Sequence, residues 1–282
     1  MCLKCRVCAA KGRGSDSIPT AIFSQTLPFS NLGFRLFIEF FTFTLIVGYQ
    51  TIKLRADSNL LGVNWENVGG NGKAKLVDIL DCTKLTSINA DFDNLSGDYI
   101  MAWDLEKGGW DSVTYQYCNI PDYGEDYVNT WLGDEYAITD LEFNCGDAFW
   151  LFCKNAIDSI SFSGQVANGA VGGATLVEGA NLLSNSRPTD LDLTDSTVVE
   201  IVGATSINAD FDNLSGDYVM AWDSVKGNWN SVTFQYCNIP EYGTEYENVW
   251  LGDEYAIGPT EIPAGTGFWY FAKKAGVTIT FK

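Results

Sequence analysis

At 282 residues with a net charge of −19, the chain is long enough for two ordinary cores and too acidic to hold a phosphate backbone, which excludes nucleic acid as a partner. It has no histidine, which excludes Ser-His and Cys-His catalysis, and it has neither a Gly-x-Ser-x-Gly elbow nor a phosphate-cradling glycine loop. Aromatic residues at 14%, 28 glycines and few helix-favouring runs predict strands joined by turns.

Residues 1–48 do not resemble the rest of the chain. Up to Arg55 seven basic side chains stand against two acidic ones, leaving ten against thirty-four in the remainder. The apolar run 36–47 has the length of a signal-peptide core and is too short for a comfortable membrane span. It contains Glu39, and no clean Ala-x-Ala site comes after it. Three readings stay open: an export signal, a membrane anchor, or an extension foreign to the native product. Cys2-x-x-Cys5-x-x-Cys8 is half a metal site, with no second cluster and no histidine to complete it.

From Tyr49 the pattern changes. Ile52 and Leu54 alternate with polar neighbours as in a half-buried strand, and Asn59–Asn64 predicts a second one. Ala74–Asp81 is the helix candidate, with Leu76, Ile79 and Leu80 on one face. Residues 86–138 then return as 205–257 with 42 of 53 positions identical, a tandem duplication. In each copy two strands flank a turn at Lys107-Gly-Gly or Lys226-Gly-Asn, which predicts a hairpin. A long loop, 119–131, comes after the hairpin. Each copy closes with a turn at Gly146 or Gly265, an apolar strand (148–152, 267–271) and an alternating one (159–162, 277–281). Ala174–Val177 and Asn181–Asn185 match the two opening strands, whereas Asp190–Thr194 replaces the helix candidate with strand or loop. The expected fold is all-β: two tandem duplicated β-sandwich or barrel-like domains at 49–165 and 174–282, joined by a linker at 166–173. A non-homologous N-terminal segment, 1–48, precedes them.

Cys118 and Cys237 are equivalent positions, while Cys145 and Cys153 both become alanine (Ala264, Ala272) in the second copy. Eight residues of extended chain span about 25 Å, beyond disulfide reach, so these residues read as small buried thiols.

Two constellations suggest binding. Asp91, Asp93 and Asp98, repeated as Asp210, Asp212 and Asp217, offer oxygens to calcium but lack EF-hand order, and a polar turn is the competing reading. Trp110, Tyr123, Tyr127 and Trp131, with their copies Trp229, Tyr242, Tyr246 and Trp250, stand in turn or loop beside acids, as rings that cover a sugar face do. Trp103 and Trp150 read as core. The copies match at only 9 of 24 positions between 139–162 and 258–281, so the shared middle was kept alike by function or by gene conversion.

Asn59-Leu-Leu-Gly-Val-Asn64, Gly97-Asp-Tyr-Ile100 with Trp103-Asp, a central Trp, Gly-x-x-Phe-Trp150 and Ile160-Ser-Phe-Ser-Gly164 together resemble a tandem β repeat of uncharacterised secreted or surface proteins from gut and environmental bacteria. The resemblance covers about residues 47–282. It implies export and a β fold, and brings no activity and no catalytic residues. The expected function is a non-catalytic secreted or cell-surface module that binds neutral carbohydrate or protein without a cofactor, with two weak sites gaining by avidity. A purely structural or adhesive repeat and a carboxylate-dependent glycoside hydrolase are the alternatives.

Overall fold

Alternation of side chains along extended segments decides the architecture, because it gives each strand two faces to bury. The computed structural model describes residues 21–22, 46–70, 72–167, 173–258 and 260–282. Cys2, Cys5, Cys8, most of the apolar run 36–47 and most of the linker at 166–173 lie outside the described residues. In the first part of the chain the strands are β1 (Ala21–Ile22), β2 (Ile46–Leu54), β3 (Asp57–Gly62), β4 (Lys73–Lys75), β5 (Tyr99–Asp104), β6 (Gly109–Cys118), β7 (Thr130–Leu132), β8 (Ile138–Thr139), β9 (Glu142–Asn144), β10 (Ala148–Cys153) and β11 (Ile157–Gln165). The second part supplies β12 (Ala174–Thr175), β13 (Gly179–Ser184), β14 (Leu191–Asp192), β15 (Val199–Val202), β16 (Tyr218–Asp223), β17 (Asn228–Cys237), β18 (Val249–Leu251), β19 (Glu261–Ile262), β20 (Gly267–Ala272) and β21 (Thr278–Phe281).

The chain is mostly antiparallel β-sheet. A six-stranded sheet runs β3-β10-β5-β6-β7-β8 and a five-stranded one β13-β20-β16-β17-β18, each accompanied by a three-stranded sheet, β1-β2-β11 or β12-β21-β15. Among the described residues every sheet is open and none closes into a barrel. The helix candidate shrinks to one turn, α1 (Leu76–Ile79), which has no side-chain cap. Leu80 leaves it to bridge Phe162, and the Asp81 amide donates to the Ser161 carbonyl, so sheet pairing takes over. Its counterpart contains β14. Ile46 and Val47, the end of the apolar run, begin β2. No helix of the described residues is long and apolar enough to cross a membrane.

One face of each large sheet closes a core of its own. Ile100, Ala102, Phe149, Leu151 and Cys153 belong to a cluster drawn from residues 54–162, and Val219, Ala221, Phe268, Tyr270 and Ala272 to one drawn mainly from residues 174–281. The opposite faces of β5, β10, β16 and β20 carry Trp103, Trp150, Trp222 and Trp269, and these faces meet. There Leu60, Ala148, Leu182 and Trp222 are buried beneath Trp103, Trp150, Trp229 and Trp269. Trp103 meets Trp269 edge-on at 4.7 Å and 86°, and the equivalent pair, Trp222 and Trp150, meets at 4.8 Å and 84°. Trp110 stands 5.0 Å from Trp103 and 5.9 Å from Trp269; Trp229 stands 5.2 Å from Trp222 and 6.0 Å from Trp150. Such edge-to-face pairs contribute about 0.5–1.5 kcal/mol each beyond the area they bury.

Backbone contacts obey the same two-fold pattern. The Gly62 amide donates to the Gly265 carbonyl at 2.9 Å, and the Ser184 amide donates to the Gly146 carbonyl at 2.7 Å. Gly62 faces Ser184, its own counterpart in the second copy, so closely that a Cβ on Gly62 would collide with the serine side chain. The contact resembles an isologous dimer interface contained in one chain. Trp103 and Trp150 are therefore half-buried residues of a junction rather than members of either main core.

Replacing Trp269 by alanine opens a cavity in this junction. The Trp269→Ala variant is expected to lose about 3 kcal/mol of stability, measured as a lowered urea midpoint at unchanged slope.

Candidate functional site

The loops shared by both copies gather at the sheet edge opposite the junction strands β3 and β13. In the first copy the Asn89–Gly97 loop is closed by its own polar side chains. Asn89 Oδ1 accepts from the Asp93 amide at 2.9 Å, and its Nδ2 donates to Asp93 Oδ2 at 2.8 Å. The Leu95 amide donates to Oε1 of buried Gln116 at 2.6 Å. Asn208, Asp212, Leu214 and Gln235 repeat these bonds at 2.9, 2.7 and 2.6 Å. The loop after β6 makes two short 3-10 turns, Pro121–Tyr123 and Glu125–Tyr127, hinged at Gly124 and closed by the Ile120 amide on the Tyr127 carbonyl at 2.8 Å.

Phe92 is the hub of the resulting face. Its ring takes Tyr123, Tyr127 and Tyr136 edge-on at 5.4, 5.9 and 5.7 Å, and Phe211 takes Tyr242, Tyr246 and Tyr255 at 5.4, 5.8 and 5.4 Å. Ile88, Cys118, Ile120 and Leu132 form the buried floor, and Ile207, Cys237, Ile239 and Leu251 repeat it. Tyr123 and Tyr242 stand 54% and 56% exposed. The same loops carry exposed carboxylates: Asp122, Glu125, Asp126, Asp134 and Glu135 in one copy, Glu241, Glu245, Glu247, Asp253 and Glu254 in the other.

The backbone here is strained. Phe92, Leu95, Asn129, Glu135 and Tyr136 have φ of 56, 56, 51, 50 and 61°, and Phe211, Leu214, Asn248, Glu254 and Tyr255 have 56, 58, 53, 52 and 61°. For bulky residues the left-handed region is an outlier, and each instance costs about 1–3 kcal/mol. Only the surrounding hydrogen bonds and ring contacts hold it.

The expected site residues divide into three groups. Tyr123, Tyr127, Tyr242 and Tyr246 come together on the two outer faces. Trp110, 40% exposed, and half-buried Trp229 lie in β6 and β17 at the tryptophan junction, not in a ligand-facing turn. Trp131 and Trp250 are not loop platforms: they are 0% and 2% exposed, in β7 and β18. Alternation turns them into the cores, where Trp131 packs on Tyr117 at 5.6 Å and Trp250 on Tyr270 at 5.7 Å, while Leu132 and Leu251 face the outer floor. A strand of three residues has no readable period, which is why these two indoles read as loop. Phe92 and Phe211 escaped notice inside an acidic stretch; the unbroken identity of 86–99 with 205–218 was the available signal.

The calcium reading of the aspartates is not supported by their placement. Asp98 is fully buried, accepting the Lys154 amide at 2.7 Å and the Thr86 amide at 2.8 Å, and Asp217 is fully buried, accepting the Lys273 amide at 2.8 Å and the Tyr270 hydroxyl at 2.9 Å. Asp93 and Asp212 are taken by their asparagines. Among the described residues no three metal-ligating side chains converge. Burial raises the Asp98 carboxyl above its ordinary 3.8 against the opposing effect of the backbone amides. Cys82, Cys118, Cys145, Cys153 and Cys237 are free and buried, and burial pushes the thiols of Cys82, Cys145 and Cys153 up to about 12. Thiols so protonated at neutral pH are poor nucleophiles.

No protein-family model, curated protein or solved structure matches this chain.

Asp98→Asn turns an amide group toward the backbone donor at Thr86 or Lys154, so it is expected to cost about 1–3 kcal/mol at neutral pH. Because the folded carboxyl binds its proton more tightly than the unfolded one, its contribution is complete below the ordinary value and is lost as pH rises through the raised value. Urea melts across acid pH should therefore show the wild type gaining on Asp98→Asn as pH falls through that window.

Proposed function

We propose that the protein is a non-catalytic secreted or cell-surface binding module that engages neutral carbohydrate or protein through two like faces, one in each copy of the repeat. The observation that carries this reading is the set of five non-glycine residues at positive φ that recurs, residue for residue, on both faces. Backbone strain of this kind clusters at binding and switch regions. Around it an exposed tyrosine beside exposed carboxylates offers an aromatic edge with acceptors close by in sequence, a combination suited to a sugar ring or to a polar protein surface. Two faces on one body would gain by avidity on a multivalent partner.

Export rests on the sequence resemblance and the acidic, solvated surface. A hydrolase receives less support, since among the described residues the carboxyls that burial raises, Asp98 and Asp147, both accept backbone amides. A second reading, a structural or adhesive spacer, is favoured by the tryptophans, because the indoles are taken up by the cores and the junction.

The Tyr123→Ala/Tyr242→Ala double variant separates the two readings. It is expected to melt like the wild type and to lose binding on a glycan array and to surface proteins displayed by neighbouring cells, whereas Trp131→Ala should cost about 3–5 kcal/mol of stability. Wild-type protein that binds nothing in either format, or a double variant that binds undiminished, would leave the spacer reading.

A further inference from the structure

Two clefts flank the tryptophan junction in equivalent places. The first, about 470 Å³, is lined by Ile52, Arg55 and Leu61 from one copy and Trp222, Val225 and Pro263 from the other. The second, about 480 Å³, is lined by Leu105, Glu106 and Asp147 on one side and Ala174, Val177 and Leu183 on the other. Both volumes fall in the range of small-molecule sites. Most of the lining positions correspond, though Trp222 of the first cleft has no Trp103 in the second, and the charge is exchanged. Lys53 and Arg55 of the first cleft stand where the second has Thr175 and Val177, and Glu106 and Asp147 of the second stand where the first has Val225 and Thr266.

Arg55 is exposed but anchored across its cleft. Nη1 donates to the Val225 carbonyl at 2.8 Å, fixing the side chain across the gap between the copies. Gly227, at φ +69°, lies under the guanidinium, and any Cβ there would occupy its space. Lys53 is paired with Asp158 at 3.1 Å on the surface, but among the described residues Arg55 has no carboxylate partner. The guanidinium has five N–H donors, and one is used. In a chain of net charge −19, this leaves an oriented cationic fork beside an apolar wall.

We propose that the Arg55 cleft binds a small organic anion, a carboxylate or sulfonate on a flat apolar body, at one molecule per chain. The planar fork takes two oxygens of such a group in parallel. Trp222, Leu61, Ile52 and Pro263 cover the body, and Glu106 and Asp147 turn the same ligand away from the equivalent cleft. The site is separate from the outer tyrosine faces and does not depend on their role.

The test titrates the full chain with 8-anilinonaphthalene-1-sulfonate and with its uncharged analogue N-phenyl-1-naphthylamine. The sulfonate should bind once per chain, and Arg55→Gln should weaken it about tenfold or more, as loss of a charge-assisted hydrogen bond implies, while the neutral probe changes less than about twofold and the circular dichroism spectrum is kept. Ser224→Trp, at the mouth, should block both probes. The Val177→Arg/Glu106→Val/Asp147→Thr variant rebuilds the cationic lining in the other cleft and should bind two sulfonates. Two sites in the wild type, no sulfonate binding at all, or undiminished affinity in Arg55→Gln would overturn the proposal.

Discussion

The edge-to-face packing of indoles between the two large sheets is the constraint on which the rest of this structure depends. It solves a problem that the strands themselves create. β5, β10, β16 and β20 carry bulky apolar side chains on both faces, so a single sheet packed on one layer would leave a tryptophan-rich surface in water. Each copy covers the other's second face. The contact is self-complementary, because a pairing recurs with both of its residues exchanged for their counterparts: Trp103 on Trp269 becomes Trp222 on Trp150. Gly62 against Ser184 marks how closely the backbones must approach for the indoles to engage.

That arrangement also sets what is left for recognition. The junction uses β3 and β13, at one edge of each large sheet, so the shared loops are left at the other edge with β7, β8 and β18. There the rings of Phe92 and Phe211 hold a strained backbone in place. The outer loops keep their hubs and their left-handed residues. The clefts beside the junction have exchanged Arg55 for Val177 and Glu106 for Val225, which removed the chemical equivalence that the geometry retains.

Much of this was legible in the sequence. The two-residue period of Tyr49–Arg55 and the paired hairpins around Lys107-Gly-Gly and Lys226-Gly-Asn led to antiparallel β structure, and buried, unpaired cysteines were expected at Cys145 and Cys153. The helix at Ala74–Asp81 was over-read, since its apolar spacing is equally satisfied by one turn and then entry into a sheet at Leu80. Trp131 and Trp250 misled because acids on either side suggested exposure, whereas cross-strand pairing fixes which way a side chain points. The junction itself could not be read at all: a strand apolar on both faces says that something covers it, and nothing in Trp103 or Trp150 says that the cover is the other copy.

If the indole junction makes the two copies one body, the intact chain must unfold as a unit. Urea unfolding monitored in parallel by tryptophan fluorescence, which reports the six junction indoles together with Trp65, Trp131 and Trp250 of the cores, and by far-ultraviolet circular dichroism, which reports the sheets, tests this directly. The account requires a single transition with coincident midpoints. Two resolved transitions, with part of the fluorescence change preceding the melting of the sheets, would contradict it.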